Sequence, residues 1–440
     1  MRLTKTELEM LKGKEGPAVK KAMEILVALG KIYGAERMVP ITSAQVSGVS
    51  YKNLGDAGIE FLAEWADAGA NVRVPTTLNP AGMDLKNWKE LGISEAFAKK
   101  QLEIIKAFER MGVEISCTCT PYFAGNCPRR GEHIAWSESS AVSFANSVLG
   151  AYTNREGGPS ALAAAIAGRT PLYGYHLEEN RRATLVVDVE FEPKNQADFG
   201  AMGYLVGKEV KGGVPLFRGI KEANLDQLKM LGASMAASGA VALYYVEGMA
   251  QNIQTAPTPK NMKITEWHIR KAYDEMNSDG KKFAKQICVA HATDSRGIGH
   301  TPESAIRSRA QTEGSVACYD EKIDLVALGC PHCSIDELRQ IAKMLGGKKI
   351  KSGLWVCTSR KVADGAKEER LIIEKSGGKV VCDTCMVVAP LEEMGCKNIA
   401  VNSGKAAFYL PTHCKANVRF GSMEKCIEAA IKGKWNSKDA

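Results

Sequence analysis

The chain has 440 residues, too many for one ordinary hydrophobic core; at roughly 150 residues per domain it divides into two or three. Hydrophobic residues make up 45% and charged residues 25%, which excludes a disordered or fibrous chain. The net charge of +8 is spread along the whole length, a distribution that favours small anionic substrates over a dedicated nucleic-acid surface.

The opening residues MRLTKTELEMLKGKEG alternate charged and apolar positions at helical spacing and lack the continuous apolar core of a secretory signal. Residues 1–40 are read as two helices broken at Gly13 to Gly16. Met38 to Val49 reads as a strand entering the loop Gln45 to Ser50, and a helix follows through Gly58 to Gly69. Asn71 to Pro75 is the next expected strand, with Thr76 to Gly82 as its loop. Helix Ile93 to Met111 then leads to strand Val113 to Cys117. Strand, polar loop and helix in repeated succession predict an α/β fold with mainly parallel sheets. In such sheets, sites form beyond the carboxyl ends of strands, so the loops Ser47–Tyr51, Thr76–Gly82 and Thr118–Gly125 are expected to line one crevice.

Further on, Ala141–Gly150 and Ser160–Gly168 are runs of small residues suited to close helix packing, and Ser160 is a candidate helix cap. The stretch Ala233 to Met249 is broken by Ser, Gly and Glu, so no membrane span is expected and the cytoplasm is the expected location. The segment from about Thr255 to Lys285 is the candidate boundary between an N-terminal α/β region, residues 1–270, and a C-terminal one, residues 271–440. Strands are expected at Ile287–His291, Leu325–Leu328, Leu354–Cys357, Lys379–Val381 and Asn398–Val401.

Thirteen cysteines is a high count for a reducing compartment, where disulfides are disfavoured and metal or cluster ligation becomes the leading explanation. Cys117-Thr118-Cys119, Cys330-Pro331-His332-Cys333 and Cys382-Asp383-Thr384-Cys385 each lie where an expected strand ends. Three thiolate sources at three strand ends suit a soft metal or an iron-sulfur cluster. The two C-x-x-C pairs alone also fit a structural zinc site, and buried unliganded thiols are the third alternative. Cys127, Cys288, Cys318, Cys357, Cys396, Cys414 and Cys426 stand singly and are read as packing residues.

Other polar positions point to anion binding. Gly48, Val49 and Ser50 offer backbone N–H groups and a hydroxyl, and Asn79 with Pro80 forms a second polar turn, against the plain alternative of ordinary turns. Ser403-Gly404-Lys405 follows a strand, with Lys405 as a compact charge. Arg155 is a candidate carboxylate clamp, with a salt bridge to a nearby acid as the alternative. Glu138 and His133 are the candidate proton acceptors, with capping or core roles as the alternative.

The segments Ser116–Tyr122, Gly131–Ala141, Ala145–Gly150, Thr153–Ala161, Gly329–His332, Asp383–Cys385 and Asn402–Lys405 resemble the signature of the aconitase X family, and the resemblance extends over nearly the whole chain. It implies an aconitase-like multi-domain α/β fold and a hydro-lyase in which Cys119, Cys330 and Cys385 hold a 4Fe-4S cluster, or a 2Fe-2S cluster as in some members. Three protein ligands leave one iron of a 4Fe-4S cluster open to act as a Lewis acid. The resemblance also marks Asn146 and Ser147 as substrate-contacting positions. It further implies that the swivelling fourth domain, with the catalytic serine, belongs to a separate small subunit. The two-subunit form of this family dehydrates (R)-5-phosphomevalonate to trans-anhydromevalonate 5-phosphate in a modified mevalonate pathway. Its longer single-chain form acts on cis-3-hydroxy-L-proline. A zinc-stabilised binding protein without catalysis is the rival from another class.

Overall fold

Short strands that end in polar loops recur along the chain, and the computed structural model, which describes residues 1–249, 253–277 and 321–436, gathers most of them into three parallel sheets. The first sheet places Ala44–Val46 between Thr76–Leu78 and Ala135–Trp136. The second runs in the order Tyr245–Val246, Pro215–Arg218, Ala183–Val189, Thr255–Ile264. The third has five strands: Lys379–Cys382, Gly353–Thr358, Leu325–Cys333, Asn398–Val401 and Asn417–Phe420. Helices cover them, giving the expected α/β class. No described helix is long and apolar enough to cross a membrane.

Local chemistry explains where these helices begin. Thr4 and Glu7 form a reciprocal cap on Lys5–Leu11, Pro17 opens Pro17–Ile32, and Ser94 caps Glu95–Arg110. Ser334 and Glu337 do the same for Ile335–Leu345, which ends at left-handed Gly346. Ser160 is not a cap: its helix, Gly158–Ala167, starts two residues earlier, and the Ser160 hydroxyl donates to Glu156.

Several expected strands shift. Asn71–Pro75 has alternating valines but no ladder, because Val72 N–H bonds Met111 and Arg73 N–H bonds Ala165; the strand is Thr76–Leu78, inside the expected loop. Met38–Val49 is two strands rather than one: Met38–Pro40 pairs antiparallel with Arg169–Pro171, while Ala44–Val46 centres the first sheet. Val113–Cys117 contributes a single bridge, Thr77 to Glu114, before Cys117 turns left-handed. The candidate boundary segment is regular structure, strand Thr255–Ile264 and helix Glu266–Met276, so a division at residues 270 and 271 cuts a helix. The expected strand Ile287–His291, with Cys288 and Cys318, lies outside the described residues.

Two helices, Gln196–Val210 and Leu225–Gly239, meet through glycine, and the helix carrying Lys405 starts against the first of them, Gly404 on Gly200. A Cβ on Gly203 would collide with the Leu231 carbonyl oxygen. Gly203→Ala is therefore expected to destabilise the protein by about 1–3 kcal/mol, because a well-packed helix pair must separate to admit a methyl group. Denaturant unfolding measures this, and an unchanged midpoint would contradict the packing argument.

Candidate functional site

Carboxyl ends of strands from the first and third sheets converge on one cavity of about 270 Å³. Ser47 and Gly48 follow strand Ala44–Val46, Asn79 and Pro80 follow Thr76–Leu78, and Ser137 to Ser139 follow Ala135–Trp136. From the third sheet come Cys330, Cys385 with Val387 and Val388, and then Lys405, Tyr409 and His413. Cys119 and Arg155 complete the chemically active wall.

Each close cysteine pair sends one member here. Cys119, Cys330 and Cys385 line the cavity, whereas Cys117 packs into the N-terminal core and Cys333 and Cys382 into the core of the third sheet. Burial raises all three cavity thiols, Cys330 to about 12, and Lys405 acts in the opposite direction on each. Hydrogen bonds from the backbone N–H groups of Val387 and Val388 also favour the Cys385 thiolate, and the N–H of His332 donates to the Cys119 sulfur at 3.1 Å. Among the described residues no three His, Cys, Asp or Glu side chains converge on a single metal ion. The cysteines border an open volume instead, and soft donors with local N–H groups and a cation fit a bridged polynuclear group.

His332 ties the three cysteine segments together. Its Nε2 lies 2.9 Å from the Thr384 carbonyl and its Nδ1 2.9 Å from the Thr118 hydroxyl. Burial lowers its pKa to about 4, so the ring is neutral near pH 7. A carbonyl only accepts, which assigns the proton to Nε2 and makes Thr118 the donor to Nδ1. The third segment is also clamped to the first sheet by charge: Arg360 donates to both Asp84 and Asp383, and Asp84 accepts from the Cys382 N–H.

Glu138 and Lys405 form a buried ion pair beside the thiols. Glu138 also accepts from Asn79 at 2.7 Å and from the Ser140 hydroxyl at 2.8 Å, and it caps helix Ser139–Phe144. Burial alone would push its pKa up, but the Lys405 charge and these donors outweigh it and hold the carboxyl at about 2. Burial acts against the Lys405 charge as well, yet Glu138 and the nearby thiols raise its pKa overall. Two expectations change accordingly. In this state the Glu138 carboxylate is engaged by Lys405, Asn79 and Ser140, and Lys405 reaches the cavity as a paired rather than a free cation.

Of the remaining expected residues, Gly48, Asn79, Pro80 and Arg155 line the cavity. Arg155 is exposed and has no acidic partner among the described residues. Val49 and Ser50 sit just behind it, Val49 accepting from Gln101 and Ser50 donating to the Val388 carbonyl. Three residues are elsewhere. His133 is paired with His176 at 2.9 Å against Tyr152. Asn146 spends its amide on Thr153, Ala242 and Arg181, and Ser147 accepts from the Tyr244 N–H. Ser47 lines the cavity as its loop was expected to, whereas Asn53, Ser137, Ser139, Tyr409 and His413 were not singled out from sequence. The four-residue spacing of Lys405, Tyr409 and His413 on a helix is the signal that could have found the last two.

Sequence models of the aconitase X first, second and third domains match residues 1–179, 183–276 and 323–432. The chain is 48% identical over 442 residues to the phosphomevalonate dehydratase large subunit of Methanocaldococcus jannaschii, covering 97% of this chain and 100% of that one. Identity is 51% over 414 residues to the protein of the same name from Methanothermobacter thermautotrophicus, covering 94% of each. A cis-3-hydroxy-L-proline dehydratase from Pseudomonas aeruginosa is 31% identical, and the match spans 100% of this chain and 72% of that protein. The crystal structure of the holo form of Thermococcus kodakaraensis aconitase X has a TM-score of 0.83 at 43% identity, over 98% of this chain and 100% of that chain.

The buried ion pair carries a pH signature. The folded-state pKa of Glu138 lies below its ordinary 4.5, so the stability it contributes is complete above about pH 4.5 and is lost as the pH falls toward 2. Glu138→Gln is expected to cost about 3–5 kcal/mol at pH 7, since it strands a buried ammonium. It should also flatten the stability profile between those pH values. Denaturant unfolding across pH tests both, and a variant with the wild-type profile would contradict the pairing.

Proposed function

The chain belongs to the aconitase X family, and we propose that it works as the large subunit of a phosphomevalonate dehydratase, removing water from (R)-5-phosphomevalonate to give trans-anhydromevalonate 5-phosphate. The observation that carries this reading is the meeting of Cys119, Cys330 and Cys385 with Lys405 in one cavity. Relatives named as such large subunits support the substrate: four from archaea are 44–51% identical over nearly the full length. The hydroxyproline enzymes are 29–31% identical and longer.

In this reading Cys119, Cys330 and Cys385 would hold an iron-sulfur cluster of the 4Fe-4S type, which when bound would supply Lewis acidity toward the substrate hydroxyl. The chain's own residues do the rest. Lys405, fixed by Glu138 and Ser140, presents a positive charge to the substrate carboxylate at the deep end of the cavity. The loop at Ser47 and Gly48 and the Asn79–Pro80 turn offer neutral polar contacts, including the Asn79 Oδ1, which is buried without a partner among the described residues. Arg155 offers a guanidinium for a second anionic group. In this reading the base that removes the proton belongs to the partner, a small subunit whose serine closes over the cavity, while the Glu138 carboxylate stays engaged by Lys405, Asn79 and Ser140.

Anaerobic co-expression with a small subunit, followed by an NMR assay for loss of 5-phosphomevalonate, tests the assignment. Turnover and visible sulfur-to-iron absorbance are both expected to vanish in Cys119→Ala, Cys330→Ala and Cys385→Ala, while Cys382→Ala keeps its colour. A brown complex that leaves phosphomevalonate untouched would move the assignment to hydroxyproline. A colourless protein holding one zinc would end the enzyme reading.

A further inference from the structure

Lys405, Tyr409 and His413 lie four residues apart on helix Gly404–His413, and all three line the cavity. That spacing keeps them on one face, and at 1.5 Å per residue the stripe runs about 12 Å from first to last. Lys405 is buried beside Glu138 and the thiols, whereas His413 is exposed. The stripe therefore runs from the floor of the cavity to its mouth.

Charge along it is one-sided. Glu138 is the one acidic side chain among the described lining residues, and Lys405 neutralises it. Arg155 lines the same cavity, exposed and without an acidic partner among the described residues. Lys52, which donates to the Ala389 carbonyl, is near enough to His413 to act on it electrostatically. The mouth thus offers a guanidinium, a hydrogen-bonding imidazole whose charged form burial and Lys52 disfavour, and a neighbouring ammonium, with no carboxylate but the paired Glu138 among the described lining residues, a setting suited to a phosphoryl dianion.

We propose that His413, together with Arg155, recognises the terminal phosphoryl group of the substrate and so sets the preference for a phosphorylated over an unphosphorylated hydroxy acid. This rests on the proposed function, and it orders the substrate along the stripe. The carboxylate and the departing hydroxyl lie deep, by Lys405 and the thiols; the phosphoryl group, at the far end of the carbon chain, lies at the mouth. The two anionic ends are told apart by depth, because only the mouth has uncompensated cations.

The test uses the complex with the small subunit. KM and kcat are measured with 5-phosphomevalonate and with mevalonate, and the Kd for 5-phosphomevalonate is measured by calorimetry. His413→Asn and Arg155→Met are each expected to raise the KM and Kd for the phosphorylated acid by about tenfold, and to narrow the phosphorylated-to-unphosphorylated preference by a similar factor. Both side chains are exposed, so a thermal midpoint within a degree or so of wild type confirms intact folding. A KM, Kd and preference within about twofold of wild type in both variants would overturn the proposal. Failure of the wild-type complex to dehydrate 5-phosphomevalonate would instead overturn the proposed function, and the Kd comparison would still decide the phosphoryl site.

Discussion

His332 makes three hydrogen bonds to three places: its backbone N–H to the Cys119 sulfur, its Nδ1 to Thr118 and its Nε2 to the Thr384 carbonyl. The segments it joins are far apart in sequence, Thr118 and His332 being separated by 214 positions and His332 and Thr384 by 52. Because burial keeps the ring neutral, it has one donor and one acceptor, and each has a fixed partner. An asymmetric group of this kind holds a geometry that apolar packing would leave adjustable. The cavity cysteines sit one or two residues from these contacts, so their separation follows from the histidine.

Two buried lysines then set the charge around the thiols. Lys405 faces Glu138 on the cavity side, and Lys229 sits behind, donating to the His332 carbonyl and paired with Asp226 and Glu337. A buried ion pair seldom adds stability over an apolar replacement, since desolvation offsets most of the attraction. The return here is positional. Lys229 fixes the back of His332 while Ser334 and Glu337 cap the next helix, and Lys405 brings positive charge to the thiols without leaving an unpaired ion. Under the proposed function, thiols that must ionise to hold a cluster would benefit from that charge.

The parallel sheets and the strand-end placement of the cysteine motifs were legible in the sequence, because apolar runs ending in polar loops have few other solutions. Strand positions were less so. The valines at 72 and 74 give the alternation of a strand, yet their neighbours bond to two different segments, a tertiary outcome that periodicity does not register. His133, Asn146 and Ser147 were drawn in by neighbouring motif residues, but the π-helical segment Ala145–Leu149 directs the Asn146 amide to the backbone carbonyls of Thr153 and Ala242. The pairing of Glu138 with Lys405 crosses 267 positions and leaves no local trace. It changes what both residues can do.

The choice of cysteine within each pair has a backbone origin. Along an extended strand, alternate side chains share a face, so Cys117 and Cys119 would point the same way. Cys117 instead has φ of +41°, Asp383 has φ of +63°, and Gly329 has φ of +93°, each one or two residues ahead of the cysteine that lines the cavity. A left-handed residue breaks the alternation, which sends Cys117 into the N-terminal core and Cys119 to the cavity, whereas Cys382 and Cys385, at the odd spacing of three, already differ in face. At Gly329 the chain has no room for a side chain, because a Cβ would collide with the Cys357 carbonyl oxygen, while the strand register shifts between Leu328 and Cys333. For the two non-glycine residues the conformation costs about 1–2 kcal/mol each. Neighbouring contacts hold it in place: the Asp383 carboxylate is gripped by Arg360 and the Leu85 N–H, and its carbonyl accepts from Ala81. Left-handed backbone at three points, each beside a cavity cysteine, is what a fold needs if thiols from distant segments are to face one another before any ligand arrives.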